Sequence, residues 1–310
     1  MGTHYIQANT DGRLHPASEP SISPLNRGFL YGDAIYEVWR TYGCTIFAFE
    51  EHWQRLEQSA RALYMELPLD RARFLGEVRR TVQAFFENNG QATEFYIRLQ
   101  ISRGAGAIGL DTGLADHASY VILVQPLKEQ PEKWQQSGMR LSVATSLHRL
   151  HADTVNPAWK TGNYLNSILC LREARSRGAD EVLMTNLAGE ITEAAVSNLF
   201  FVRDQILITP PLSAGILAGV TRRFIIEQAA PRANLQVREE TVRVEELKAF
   251  RECFLSSTTK EIASVAAIDE VKFAIGENGV AQKLREAFKE WVREYQAGHP
   301  ELKIGAKLVP

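Results

Sequence analysis

The 310-residue sequence has only three cysteines, no run of more than five apolar residues and no surplus of either charge. Each scarcity excludes something. Cys44, Cys170 and Cys253 are odd in number, widely spaced and free of any CxxC, which argues against a disulfide framework or a structural zinc site and for buried, reduced thiols. The longest apolar run, residues 120–124, is far short of the ~18 residues a membrane-spanning helix needs. With 35 basic and 37 acidic side chains the net charge is −2, so neither a broad basic surface for nucleic acid nor an acidic tail is expected. The seven histidines form no HExxH, and His148 and His151 lack a nearby helical acid, so no metal is expected. Residues 1–6 lack the charged-then-apolar layout of a signal peptide, and Ile6 stands where a myristoylation signal needs Ser or Thr. The expectation is a cytoplasmic, metal-independent protein.

What is present reads as ordinary globular composition: 45% apolar and 23% charged residues. The length suits about two domains at ~150 residues each. Residues 28–42 read as a loop followed by a strand. Helical spacing places Trp53, Leu56, Ala60, Leu63 and Tyr64 on one face of a helix over 50–66, and Phe74, Val78, Val82 and Phe85 on one face of a helix over 70–88, stopped by Asn89 and Gly90. Residues 95–102 alternate cleanly, with Phe95, Ile97, Leu99 and Ile101 on one side and Tyr96, Arg98, Gln100 and Ser102 on the other. If the second face lines a cleft, its arginine and tyrosine are a ready carboxylate receptor; a solvated strand face is the alternative. The polar stretch QPLKEQP at 125–131 is the best linker. Beyond it come a strand over 140–145, a helix over 164–176, a β-rich run over 181–209, a helix over 219–229 and an amphipathic helix near 280–295. Strand clusters with segregated helices predict α+β in both halves: a small N-terminal domain over 1–125, a linker over 126–136 and a large domain over 137–310.

Three motif matches lack the context their usual chemistry needs. GAGAIG at 104–109 is a literal GxGxxG after a strand, but a turn sequence follows it rather than the helix that dinucleotide binding requires. Ser257 to Lys260 spells SxxK and Lys160 to Gly162 spells KTG, but their order is the reverse of that in penicillin-recognising enzymes and no SDN lies between them.

One lysine stands apart. Lys160 lies in the uncharged, aromatic stretch NPAWKTGNYL at 156–165, with Asp153 the nearest acid upstream. Partial desolvation among Trp159, Asn163 and Tyr164 would free its amine for Schiff-base chemistry; on spacing alone a surface lysine is the alternative.

Six ordered blocks carry a resemblance: NRGFLYGDAIYE at 26–37, HWQRL at 52–56, KTGNYL at 160–165, GEITEAAVSNLF at 189–200, GILAGVTR at 215–222 and FLSSTTKEI at 254–262. Together they resemble the class IV, or fold type IV, pyridoxal-phosphate enzymes. This family holds branched-chain aminotransferases, D-amino-acid transaminases, (R)-selective amine transaminases and aminodeoxychorismate lyase. The resemblance implies a two-domain α+β fold with pyridoxal 5′-phosphate between the domains, and a homodimer. It implies that Lys160 forms the Schiff base, an aldimine, with the cofactor, and that Glu193 faces the pyridine nitrogen. Tyr164 would meet the phenolic oxygen, and Arg55, Val220, Thr221, Ser257 and Thr258 the phosphate. Tyr31, Tyr36, Arg40, Tyr96, Arg98 and Thr259 would lie at the substrate.

Within the family, the pattern of Tyr96 and Arg98 resembles the branched-chain enzymes. The Arg-x-His carboxylate trap of D-amino-acid transaminases is absent from RGAGAIGL at 103–110. Against this, Val38 stands where those branched-chain enzymes usually have glycine, and YGDAIYEV at 31–38 reads closer to the D-specific and amine-specific branches. A lyase would need no keto-acid acceptor and would leave Arg98 little to do. The favoured expectation is transamination between a branched-chain L-amino acid and 2-oxoglutarate; a D-amino-acid or (R)-amine transaminase is the alternative.

Overall fold

The computed structural model describes residues 5–89, 92–151, 153–276 and 278–305; the proposed stop at Gly90 and the start of the N-terminal segment, residues 1–4, lie outside the described residues. The fold is α+β. The chain divides into two compact units, Met1–Lys128 with Trp159–Asn163 and Glu294–Pro310, and Glu129–Ala158 with Tyr164–Arg293. Residues 159–163, which the sequence places inside a domain over 137–310, are grouped with the first unit because they pair with its sheet. The expected linker over 126–136 is partly ordered, with Glu132–Ser137 forming a short helix.

The first unit is built on a six-stranded sheet, in the order Arg13–Pro16, Gln7–Thr10, Ser119–Pro126, Phe95–Ser102, Ala34–Tyr42 and Thr45–Ile46. Every pairing is antiparallel, so alternate side chains of each strand point to opposite faces. Phe95, Ile97, Leu99 and Ile101 are fully buried with Ile35 and Trp39. The helices Phe49–Ala62 and Arg71–Asn89 contribute Trp53, Phe74 and Phe85 to that core; the Phe74 ring lies 4.8 Å from Trp39 and 5.4 Å from Trp53. Asp70 caps the second helix by accepting from Arg73 N. The first has no side-chain cap of its own, and the Tyr295 hydroxyl accepts from Phe49 N instead.

Two details differ from the sequence reading, and a third gives the GxGxxG glycines a structural reason. The helix predicted over 50–66 ends at Ala62, because Tyr64 turns left-handed (φ 51°) and is 92% exposed, so it packs on no helix face. The loop expected at the start of 28–42 contains the helix Arg27–Tyr31, capped by the Asn26 side chain and closed by left-handed Gly32. The glycines of the declined GxGxxG serve a close backbone crossing: a Cβ on Gly104 would sit 1.9 Å from His117 O, and one on Gly106 would sit 1.9 Å from Leu114 O.

The second unit holds a mixed sheet in the order Gln236–Glu239, Ile206–Thr209, Asn198–Arg203, Glu252–Ser257, Glu261–Ile268, Met139–Val143, Glu181–Thr185 and Ile191–Ala194, with Val271–Lys272 beside Glu261–Ile268. Leu141, Leu183, Leu199, Phe201, Leu255 and Val265 fill one core. Cys170 and Ala174 of the helix Leu165–Ser176 pack with Val182 and Met184 in another. The helix predicted over 219–229 starts at Val220, passes into a π turn over Ile225–Ala229 and ends at Arg232. Pro231, which has no N–H to donate, is the physical reason for the widened turn. Among the described residues no helix is long and apolar enough to cross a membrane, and no group of three His, Cys, Asp or Glu side chains is placed to hold a metal.

Candidate active site

The antiparallel register of the first sheet places Tyr36 opposite Gln100, Val38 opposite Arg98 and Arg40 opposite Tyr96. Directly opposed residues share a face, so these six side chains form one surface, on the side away from the buried core. Arg98 donates from Nε and Nη2 to Gln100 Oε1 at 3.3 and 2.7 Å, and its guanidinium lies 3.8 Å from the centre of the Tyr36 ring. Arg40 lies 3.9 Å over the Tyr42 ring. Of the expected substrate residues in this unit, Tyr31 alone is elsewhere: on its short helix, its hydroxyl accepts from Gly109 N at 3.1 Å.

Lys160 sits at the open edge of the strand Ala34–Tyr42. Gly162 N donates to Ala34 O at 2.9 Å, Tyr36 N donates to Lys160 O at 3.0 Å, and Ile35 bridges Thr161. Lys160 N donates to Ser59 Oγ, and its Nζ lies 4.5 Å from the Tyr36 ring centre. One lysine therefore touches the helix through its backbone and the polar sheet face through its amine. Ser59 Oγ in turn donates to Arg55 O at 3.0 Å.

Arg55 is fastened on the core side of the same strand. Its Nε and Nη2 donate to the Glu37 carboxylate at 2.7 and 2.9 Å, and His52 Nδ1 meets Glu37 Oε2 at 2.8 Å. Burial works against the charge on Glu37, yet Arg55 and His52 outweigh it and hold the carboxyl far below the usual range. Burial drives the His52 pKa down against the pull of Glu37, which favours the neutral imidazole.

In the second unit Glu193 is buried at the strand Ile191–Ala194. Arg149 Nη2 lies 2.6 Å from its Oε1; Leu217 N and Asn198 Nδ2 donate to its Oε2 at 3.1 and 3.2 Å. Asn198 also closes on Gly219, where a Cβ would stand 2.0 Å from Asn198 Oδ1. Gly219 caps the helix that opens with buried Val220 and Thr221, whose first-turn N–H groups have no intrahelical acceptor. Ser257, Thr258 and Thr259 lie at the hairpin between Glu252–Ser257 and Glu261–Ile268. Ser256, opposite Asn198 in register, has a buried hydroxyl with no hydrogen-bond partner among the described residues. Lys260 ties this hairpin down, its Nζ 3.1 Å from Ser197 Oγ and 3.5 Å from Glu181 Oε2. Tyr164 is half-buried at the N-terminus of the helix Leu165–Ser176.

Sequence reasoning assigned no role to Glu37, His52, Ser59, Arg149 or Asn198. Glu37, His52 and Asn198 lie inside the quoted blocks, which was the available signal; Arg149 lies in none.

The sequence profile of the amino-transferase class IV family matches residues 34–268. The chain belongs to that family. It is 32% identical over 283 residues to a putative branched-chain-amino-acid aminotransferase of Methanocaldococcus jannaschii, covering 90% of this chain and 94% of that one. It is 27% identical to the aminodeoxychorismate lyase of Bacillus subtilis, over 91% of this chain and 94% of the other. Among solved structures it resembles the branched-chain aminotransferase of Thermoproteus uzoniensis, crystallised with norvaline, with a TM-score of 0.84, 31% identity, and coverage of 96% of this chain and 98% of that one.

The buried Glu37–His52–Arg55 cluster makes a pH prediction. Below its ordinary pKa of 6.5, His52 takes up a proton more readily unfolded than folded, so it destabilises the fold as pH drops through that value. Glu37, whose folded pKa is lowered, contributes stability that is present above its ordinary 4.5 and lost as pH falls further. Both act in the same direction. His52→Gln should flatten the decline in Tm between about pH 7.5 and about pH 5.5 relative to the parent, measured by circular dichroism; parallel declines would show that His52 does not contribute to it.

Proposed function

We propose that the protein is a pyridoxal-phosphate-dependent transaminase that moves an amino group between a branched-chain L-amino acid and 2-oxoglutarate. The observation that carries this reading is the placement of Lys160 Nζ and Arg98 at the same Tyr36 ring: an amine and a carboxylate receptor on one aromatic, otherwise uncharged spot of the sheet. The donor set suits the cofactor. The recess at Gly219, the Val220 and Thr221 N–H groups, the orphan hydroxyl of Ser256 and the hydroxyls of Thr221, Ser257 and Thr258 fit a dianionic phosphate, to which Arg55 would add charge if the family resemblance holds there.

When bound, the cofactor supplies an aldehyde carbon that accepts an amine and a ring that withdraws electrons. The protein supplies the rest. Lys160 Nζ is the amine that would join the cofactor and, once released, the base that takes the proton from the substrate Cα. Glu193, beside the Arg149 guanidinium, would hold the proton of the ring nitrogen. Tyr164 would hydrogen-bond the phenolic oxygen. Thr259 would meet the substrate α-carboxylate, while Arg98 would receive the second carboxylate of glutamate or 2-oxoglutarate. Tyr36, Val38 and Tyr96 would offer apolar surface to a branched side chain, and Arg40 flanks the same face. A lyase that releases pyruvate needs no such second carboxylate receptor.

Val38 favours a second reading. It stands directly opposite Arg98 in register, so its side chain takes room beside the arginine and suits a smaller donor, a D-amino acid or an (R)-amine. A panel of L-leucine, D-alanine, L-glutamate and (R)-1-phenylethylamine against 2-oxoglutarate and pyruvate decides between them; L-leucine with 2-oxoglutarate should be the fastest pair, and D-alanine with 2-oxoglutarate idle.

A homodimer is supported by the exposed apolar side chains of Phe29, Ile108 and Leu110, which are 70, 76 and 80% accessible. Arg27 draws the helix and loop that carry them together by donating to Gly109 O and Leu110 O.

Lys160→Ala should lower transamination roughly a thousandfold or more, and appreciable residual turnover would remove the lysine from the mechanism. Arg98→Ala should raise the KM for 2-oxoglutarate about tenfold or more with L-leucine nearly unaffected; equal losses on both substrates would contradict its role. Ile108→Asp should shift the protein from dimer to monomer in sedimentation velocity, and an unchanged dimer would place the interface elsewhere.

A further inference from the structure

Arg149 has no role in the reading above beyond touching Glu193, yet the chain around it is organised to deliver it. Residues 145–148 form neither helix nor strand and are exposed, so burial does not hold them. They are fastened by hydrogen bonds instead. The Glu173 carboxylate accepts from Thr145 N, Thr145 Oγ1 and Ser146 N at 2.9, 2.6 and 3.2 Å. Burial opposes the Glu173 charge, but these donors prevail and bring its carboxyl down to about 2. His148 Nδ1 lies 3.1 Å from Thr185 Oγ1, Asn166 Nδ2 donates to His148 O, and Arg149 N donates to Thr185 O at 2.8 Å.

What arrives at the end of this segment is a guanidinium against a buried carboxylate. The Arg149 side chain is 15% exposed and that of Glu193 8%. Leu217 N and Asn198 Nδ2, both neutral, donate to one Glu193 oxygen, and Arg149 approaches the other with a full charge. Burial by itself favours the protonated carboxyl, and an adjacent guanidinium opposes that. The arrangement is not optimised for Arg149 itself, because its Nε is buried with no hydrogen-bond partner among the described residues, a cost that asks for a return elsewhere.

We propose that Arg149 is a positioning residue for Glu193: it fixes the carboxylate in one orientation and keeps it ionised, and thereby sets how firmly the protein holds the ring nitrogen of the cofactor. The inference rests on the reading of Glu193 given under the proposed function. Arg149 touches neither substrate nor reacting atoms in this scheme. Its effect passes through Glu193, so it should fall on cofactor affinity and kcat rather than on KM.

Arg149→Met, Arg149→Lys and Glu193→Gln are compared by two measurements: the dissociation constant of pyridoxal phosphate, from tryptophan fluorescence of the apo protein, and steady-state kinetics with the best donor and acceptor. Arg149→Met should weaken cofactor binding and lower kcat on the order of tenfold each, with both KM values within about threefold of the parent. Arg149→Lys, which restores the charge without the planar fork, should recover part of both losses. Cofactor affinity and kcat at the parent level in Arg149→Met would overturn the proposal. So would a Lys variant no better than Met with the apo melting temperature, kcat and both KM values all impaired together, the pattern of a merely structural arginine. If Glu193→Gln is impaired and Arg149→Met is not, only this proposal fails; if both behave as the parent, the reading of Glu193 fails with it.

Discussion

Two backbone hydrogen bonds, from Gly162 N to Ala34 O and from Tyr36 N to Lys160 O, fix the chain that carries Lys160 against the free edge of a strand more than a hundred residues earlier in sequence. Edge pairing of this kind leaves little freedom: the strand's donors and acceptors alternate, so the register decides which side each side chain of the added segment takes. Ser59 tightens the joint by accepting from Lys160 N while donating to Arg55 O. A cation on the helix side of the strand and an amine on its polar side are thus tied to one hydroxyl. The Glu37 carboxylate, wholly buried between Arg55 and His52, makes the helix side rigid, since a displaced Arg55 would leave that charge uncompensated.

The strand Ala34–Tyr42 therefore does two jobs with one pleat. Its odd-numbered residues Ile35, Glu37 and Trp39 face the helices, and its even-numbered residues Tyr36, Val38 and Arg40 face the other way, beside Gln100, Arg98 and Tyr96. The alternation in residues 95–102 is strong enough to be read directly, and the structure keeps that strand over Phe95–Ser102 with Tyr96 and Arg98 as face-mates. That Val38 and not another residue opposes Arg98 could not be read, because register between strands sixty residues apart is set by pairing and leaves no local trace. The same holds for Glu37 with Arg55 and for Arg149 with Glu193. An ion pair joins residues whose separation in sequence carries no period, so each partner looks like an ordinary charged residue.

Local chemistry misled where two signals competed. Leu63 and Tyr64 continue the apolar spacing of their helix, but the helix stops at Ala62 and Tyr64 turns outward. At Asn26 the capping side chain and Gly32 mark a single helical turn inside what looked like a loop, too short for periodicity to register. Pro231 sits late enough in its helix to widen a turn and not to end it. In the second unit, Glu193, Asn198 and Gly219 are legible as parts of the quoted blocks only through family resemblance; the Asn198 side chain that joins them explains why a glycine is required at 219, since any Cβ there would collide with it.

The division of the chain carries one more consequence. Residues 159–163 belong to the first compact unit although they are flanked on both sides by stretches of the second. A gene fragment ending at the 128–129 boundary would encode the first sheet without the segment, Lys160 included, that completes its edge. The chain therefore cannot be cut cleanly at that boundary, because the first sheet and the segment that pairs with its edge lie on opposite sides of it.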